Sequence, residues 1–342
     1  MGRSAGMIVH NLLVSLAETV SGITPLIPYY HTVSDERLAH IRHLHPYKNE
    51  RQFSADVDYL GRRYQPVSLN DLLDCVKRGR ELRKGSFILT FDDGYSQAHS
   101  VIAPLLYRKG IPAIFFLTAD FIDNRGLSQR NKASIIVDRL LRDGGDRIAP
   151  SAAVLTRLDA TPGELPKRIL ALRNREADVL DEIALSLGVD FEEYLSQEQP
   201  YLTSHEIGKL LGMGFFIGAH SFEHPLYQDL PIDEQVRETT GSVQYIREKF
   251  GLEYSLFAFP HSDLFIRREF FRRIEGAVDL TFGTSGIHKD PIATNLQRIN
   301  FERALRGAAD LVARQLFKKI LWGRTKNMVI ERDFAPEAGG TS

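Results

Sequence analysis

The sequence predicts an α/β protein built on a parallel sheet, either doubly wound or closed into a barrel. Short apolar runs alternate with helical stretches from about residue 25 to residue 300. Ser86–Phe91 (SFILTF) is almost continuously apolar, as a strand buried on both faces requires. Two of the apolar runs lead straight into carboxylates or imidazoles, and the C-terminal ends of parallel strands are where such a sheet places its chemistry. With 342 residues, 43% hydrophobic and 25% charged, the chain can enclose a large core and has room for about two domains.

Taken in order, Leu26–His31 reads as a strand interrupted by Pro28, and Glu50–Tyr64 has helical spacing at Phe53, Val57 and Leu60. Ser68 caps a second helix through Val76, with Asp71 in its first turn. Ser86–Phe91 follows as a strand bounded by Gly85 and Gly94. Next come a helix over Ser96–Lys109, a stop at Gly110 and the strand Ala113–Thr118 (AIFFLT). Later units repeat the pattern: Thr203–Leu211 helical, Phe215–Ala219 (FFIGA) extended, Asp233–Phe250 helical, Ser255–Phe259 (SLFAF) extended, Ile266–Glu275 helical, and Leu280–Gly283 a last short strand. Between Gly126 and Pro200 no strand is expected, while Asn131–Leu141 and Glu164–Leu187 read as helices. Residues 127–200 are therefore a helical insertion, which either walls a site or elaborates the surface. The division is an N-terminal amphipathic helix in 1–24, an α/β body over 25–303, and a C-terminal amphipathic helix and tail over 304–342.

Several function classes fall away. Lys and Arg number 43 against 44 Asp and Glu, a formal charge of −1, so no strongly basic nucleic-acid binder is expected. Cys75 is the sole cysteine, which excludes a disulfide scaffold. No run approaches the roughly 20 apolar residues of a spanning helix. Met7–Ala17 comes nearest and is broken by His10 and Asn11. The expected location is cytoplasmic, with peripheral attachment to the inner membrane left open. In Ala308–Trp322, Leu311, Val312, Leu316, Phe317 and Ile320 oppose Arg314, Lys318 and Lys319. Such a helix is expected to pack on the core; contact with a membrane surface is the alternative.

Two motifs carry chemistry. In Thr90-Phe91-Asp92-Asp93-Gly94, adjacent carboxylates end an apolar strand, where joint ionisation is unfavourable. Gly94 permits a tight exit that lets both reach one mouth. The same tripeptide is also ordinary turn chemistry, with Asp capping the following helix. His220-Ser221-Phe222-Glu223-His224 follows FFIGA directly, and imidazoles four positions apart can face one metal from a single turn. Two histidines and one carboxylate make a three-ligand site with open positions, and a second carboxylate can then act as general base to water. That donor set also describes non-haem iron oxygenases, but the paired acid and the parallel α/β pattern favour hydrolysis. His40, His43 and His45 cluster in AHIRHLHPY without an acidic ligand among them, and are read as lining a loop that touches substrate.

TFDDG followed by HSFEH resembles the polysaccharide deacetylases, carbohydrate esterase family four, whose NodB-homology domain is a distorted (β/α) barrel. The likeness runs from about Leu26 to Arg303 outside the insertion, with GIPAIFFL at 110–117 and Phe257-Ala258-Phe259-Pro260 as supporting segments. The resemblance implies Asp93, His220 and His224 as metal ligands, Asp92 as general base, and Ser221 as a brace for the histidine loop. It places an oxyanion-binding N–H at Tyr95, with Pro260 and His261 in the third motif near substrate. Two departures matter. Ala258 stands where many members carry the arginine that orients the base, and no late Leu-x-His segment supplies the acid. Pro28-Tyr29-Tyr30-His31 is similar to the circularly arranged members whose acid histidine comes early, which implies His31 as general acid, with His261 the competitor. In that subgroup Arg298, in Leu296-Gln297-Arg298-Ile299, orients the base, with Arg303 as its substitute.

The implied function is metal-dependent removal of an N-acyl group, N-acetyl first, from an amino sugar in glycan or surface-polysaccharide biosynthesis. The substrate would be an N-acylated, nucleotide-linked or lipid-linked sugar. Zinc is the expected metal, with nickel or cobalt also accepted by such ligands. A deformylase of a lipid-linked sugar and a catalytically silent carbohydrate-binding protein are the alternatives.

Overall fold

A computed structural model describes residues 25–142, 152–172, 176–302, 306–322 and 328–333. The expected N-terminal helix in 1–24, Arg303, parts of the insertion and the tail beyond 333 lie outside the described residues.

The main sheet contains β1 (Pro28–Tyr30), β4 (Leu89–Phe91), β5 (Ala113–Leu117), β6 (Phe216–Ala219), β7 (Leu256–Ala258), β8 (Leu280–Gly283), β9 (Asn295–Gln297) and β10 (Ile299–Asn300). All pairings are parallel, in the order β10-β1-β4-β5-β6-β7-β8-β9. Because β9 and β10 are one segment broken at Arg298, pairing with β8 on one side and β1 on the other, the eight strands close into a distorted barrel. The two-stranded pair β2 (Gln65–Pro66) and β3 (Ser86–Phe87) lies apart.

β5 shows why its sequence is apolar throughout. Ala113, Phe115 and Leu117 pack outward with Phe53, Val57 and Leu106 of the surrounding helices. Ile114 and Phe116 join Ile88, Leu256, Ala258, Leu280 and Phe282 inside. The Phe116 and Phe282 rings meet 5.0 Å apart from opposite sides of the barrel. Asn49 and Ser68 form capping boxes that start the helices Glu50–Arg63 and Leu69–Arg78, and Thr203 does so for Ser204–Gly212.

Gly218, two residues before His220, admits no side chain. A Cβ there would stand 2.6 Å from the Phe116 ring and 3.0 Å from Leu256 Cβ. Gly218→Ala is expected to cost about 1–3 kcal/mol through overpacking, read as a lowered thermal midpoint. An unchanged midpoint would mean that the ring yields freely.

Outside the insertion, the structure corrects four expectations. Ser86–Phe91 is two strands, because the run leaves β2 after Phe87 and joins β1 and β5 from Leu89. The helix expected over Ser96–Lys109 is a π-type turn, Ala98–Ile102, leading into Ala103–Arg108. Pro104 has no N–H and clashes with the carbonyl four residues back, which widens the preceding turn. Ile266–Glu275 shortens to Arg268–Arg273, since Arg332 Nη1 takes the Ile266 carbonyl at 3.0 Å and keeps that residue in a loop. Leu280–Gly283 is not the last strand. β9 and β10 were obscured by polar Asn295, Gln297 and Asn300, whose amides bond Asp263 at 3.0 and 2.7 Å and the Tyr29 hydroxyl at 3.1 Å.

The described part of 127–200 is helical: Gln129–Arg142, Ala152–Arg157, Leu165–Ala171, Ala177–Ser186 and Phe191–Glu198. The run Glu164–Leu187 is thus two helices. Ile136, Val154, Ile169, Leu180 and Ile183 form a separate apolar cluster there. In the helix Ala308–Trp322, Ala308, Leu311, Val312, Ala313 and Leu316 are buried in the main core, while Phe317 is exposed. Among the described residues no helix is long and apolar enough to cross a membrane.

Candidate active site

The strand ends build the site. Asp92 N–H extends the β4 ladder to Tyr30 O at 2.9 Å, and His220 N–H extends β6 to Leu117 O at 2.8 Å. Past those bonds the chain turns sharply, with Asp93 at φ 71° and Gly94 at φ 74°. Two consecutive left-handed residues let Asp92 and Asp93 share one mouth instead of pointing to opposite faces. A Cβ at Gly94 would also stand 3.0 Å from Leu117 Cδ2. Ser221, His224 and His261 are left-handed too. Such backbones cost on the order of 1–3 kcal/mol each for residues with a side chain and concentrate at functional sites. Neither aspartate caps the following turn, whose first residue is preceded by an uncapped Gln97.

His31 after β1, Asp92 and Asp93 after β4, His220 and His224 after β6, His261 after β7 and Thr284 after β8 line one cavity of about 190 Å³. Tyr95 lines it as well, whereas Pro260 does not. Tyr95 bridges to Tyr201 through bonds made by the neighbouring Ser96 and Leu202 N–H groups, which leaves its own N–H outside that ladder. Tyr95, Tyr201 and Phe121 stack in series, with ring centroids 5.5 and 5.1 Å apart, as an aromatic wall. Ser128, Arg130 and Asn131, at the start of the first helix of the insertion, also line it, as does His45.

Arg298 lies behind Asp92. Its guanidinium grips both carboxylate oxygens, Nη1 to Oδ1 at 2.6 Å and Nη2 to Oδ2 at 2.9 Å, while Nε donates to Gly283 O at 3.1 Å. Both residues are buried, Arg298 completely. Burial works to raise the Asp92 carboxyl, and Arg298 overrides it, holding the group below the usual carboxylate range. Ala258, on β7, contributes only its carbonyl, which lies 2.8 Å from His220 Nδ1.

The donor set fits a divalent cation. Asp93 Oδ1 is buried and has no hydrogen-bond partner among the described residues, with His220 and His224 Nε2 3.3 and 3.2 Å away. The Ala258 carbonyl accepts from His220 Nδ1–H, so in the neutral ring Nε2 carries the lone pair. Ser221 Oγ accepts from His224 N–H at 3.0 Å and so fixes the loop between the histidines. Asp93, His220 and His224 would hold the metal, and a bound cation supplies Lewis acidity there.

Sequence reasoning missed Glu302. Its Oε2 meets His31 Nδ1 at 2.6 Å, and its Oε1 accepts His31 N–H at 2.9 Å and Thr32 N–H at 3.2 Å. Burial alone would depress His31; Glu302 reverses this and lifts it to about 9. His261 has no such partner, and burial together with His224 lowers it to about 2. The histidine cluster disperses: His40 Nδ1 meets the Tyr194 hydroxyl at 2.8 Å, His43 Nε2 lies 3.3 Å from Asp138, and His45 stacks on His31 at 4.2 Å.

An eight-stranded parallel barrel carrying an Asp-His-His cluster beside a second, arginine-held carboxylate has the architecture of a hydrolase. The chain belongs to the polysaccharide deacetylase family, whose profile matches residues 79–269, more than half of its length. The deacetylase PplD of Streptococcus pyogenes, solved with acetate, shares the fold at TM-score 0.54 and 12% identity, over 85% of this chain and 97% of that one. IcaB from Ammonifex degensii matches at TM-score 0.54 and 16% identity, over 85% and 96%. In sequence, the poly-beta-1,6-N-acetyl-D-glucosamine N-deacetylase of Escherichia coli strain K12 is 30% identical over 76 residues. That match spans 22% of this chain and only 11% of the relative.

Proposed function

We propose that this protein is a metal-dependent N-deacetylase of an amino sugar, of the early-histidine, circularly arranged kind, with zinc as its metal. The observation that carries the reading is the bidentate Arg298–Asp92 pair beside Asp93, His220 and His224 at one cavity. A carboxylate kept ionised while buried is suited to take a proton from water as that water adds to the acyl carbonyl. When the C–N bond breaks, the leaving nitrogen needs a proton. His31, at about 9, holds one at neutral pH, whereas His261, at about 2, does not. This favours His31 as the general acid and leaves His261 to contact substrate. The Tyr95 N–H is assigned to the developing oxyanion.

The aromatic wall suits a sugar ring. The proposal includes a cytoplasmic location and a substrate among nucleotide-linked or lipid-linked N-acylated sugars of surface-polysaccharide synthesis.

The test is metal content of wild type beside His220→Ala, with acetate and formate release assayed on a panel of such sugars. The expected result is one tightly held equivalent, lost in the variant, together with acetate release by wild type alone. Formate in place of acetate would make it a deformylase. Retained metal with no acyl release from any sugar would put the carbohydrate-binding reading first.

A further inference from the structure

We infer that the cavity carries a second, weaker divalent-cation site made of His31, His45 and Asp93, and that filling it inhibits the enzyme. The site stands on geometry alone; only the inhibition rests on the proposed role of His31. Among the described residues, two groups of His, Cys, Asp or Glu are close enough to hold a metal, and they share Asp93. In the second, one ligand atom from each of His31, His45 and Asp93 lies within 4.8 Å of the others.

The sequence left the His40, His43 and His45 cluster without an acid. The fold sends His40 to Tyr194 and His43 to Asp138, and gives His45 alone a carboxylate it can share with His31, from the end of β4. The His31 and His45 rings lie 4.2 Å apart at an interplanar angle of 32°. Nδ1 of His31 is held by Glu302 at 2.6 Å, and Nδ1 of His45 faces Pro46 O at 3.3 Å, which leaves Nε2 of each ring for ligation. A carboxylate behind the far nitrogen is the usual support of a ligating imidazole. Asp93 turns Oδ1 toward His220 and His224, and a carboxylate has a second oxygen with which to bridge two ions. Two cations sharing one carboxylate repel, so the second binds more weakly. A cation ligates His31 Nε2 only as the acid proton there is released to solvent, so loading this site removes the acid.

The test titrates zinc sulfate into metal-free, full-length protein, with bound ion measured by equilibrium dialysis and elemental analysis. Wild type is expected to bind two equivalents, the second about tenfold or more weakly, since the like charges raise its cost. His45→Ala and His45→Gln are expected to bind one. As the second equivalent loads, wild-type acyl release should fall on the order of 100-fold, the contribution of a general acid. Within each His45 variant, activity at one equivalent and in excess zinc should be the same. Wild type saturating at one equivalent, or either His45 variant still binding two, overturns the second site. If that single equivalent is lost in His220→Ala, the proposed function survives. Two equivalents bound without acyl release at one equivalent sinks the proposed function and leaves the second site standing.

Discussion

Arg298→Met is expected to destabilise the protein by about 3–5 kcal/mol and to lower kcat/KM by on the order of 10²–10⁴. Both effects arise because the substitution removes both bonds to Asp92 and leaves a buried, unpaired carboxylate. With the guanidinium gone, burial pushes Asp92 upward, so less of the proposed base is ionised at neutral pH. Arg298→Lys keeps the charge without the planar fork and should fall between the two. The double variant Asp92→Asn, Arg298→Met separates the effects. Removing both charges should restore much of the stability, because the cost comes from the charge left behind, while activity stays lost. The sign of the pH dependence follows from the depressed Asp92: the pair stabilises above the ordinary carboxylate value of about 3.9 and is lost as pH falls through the lower folded value. Denaturant unfolding and steady-state kinetics check both. Arg298→Met with wild-type kcat/KM would remove Arg298 from the activation of Asp92.

Local sequence was a sound guide wherever a feature is made by neighbours in the chain. The helix start at Ser68, the strand within Ala113–Thr118 and the spacing of His220 and His224 are all of that kind. The pair of aspartates was legible for the same reason, although Gly94 was credited with a turn that Asp93 shares through its own left-handed backbone. What stayed hidden depends on closure of the barrel. Glu302 meets His31 across 271 positions, and it follows a strand too polar to be recognised as one. Once β10 is seen, the signal is plain: a carboxylate four residues after Arg298, at a strand end. His45 was grouped with His40 and His43 by spacing, yet its working neighbours are His31 and Asp93, brought there by β1 and β4.

Glu302 also sets the second large effect. In metal-free wild type, stability is expected to fall by on the order of 3 kcal/mol as pH rises from about 6.5 to about 9, and in Glu302→Gln this fall should vanish. His31 has an ordinary value of about 6.5 when unfolded and about 9 in the fold. A raised histidine contributes its full stabilisation below the unfolded value and loses it on the way up to the folded one. The window belongs to His31, because His45, lowered to about 4, and His261, lowered to about 2, exert their effects below neutrality. Burial is the largest influence on His31 and works against its proton, so without Glu302 the ring should titrate at or below about 6.5. The consequence for catalysis has the same sign. A general acid must enter the reaction protonated, so in the loaded enzyme the alkaline limb of kcat/KM should move down by about two units or more in Glu302→Gln. His31→Gln should abolish that limb and cost on the order of 10²–10⁴ in rate, whereas His261→Gln should leave the limb in place. Thermal unfolding across this pH range and the two pH–rate profiles are the measurements. A limb that ignores Glu302 yet moves with His261 would transfer the acid role to His261.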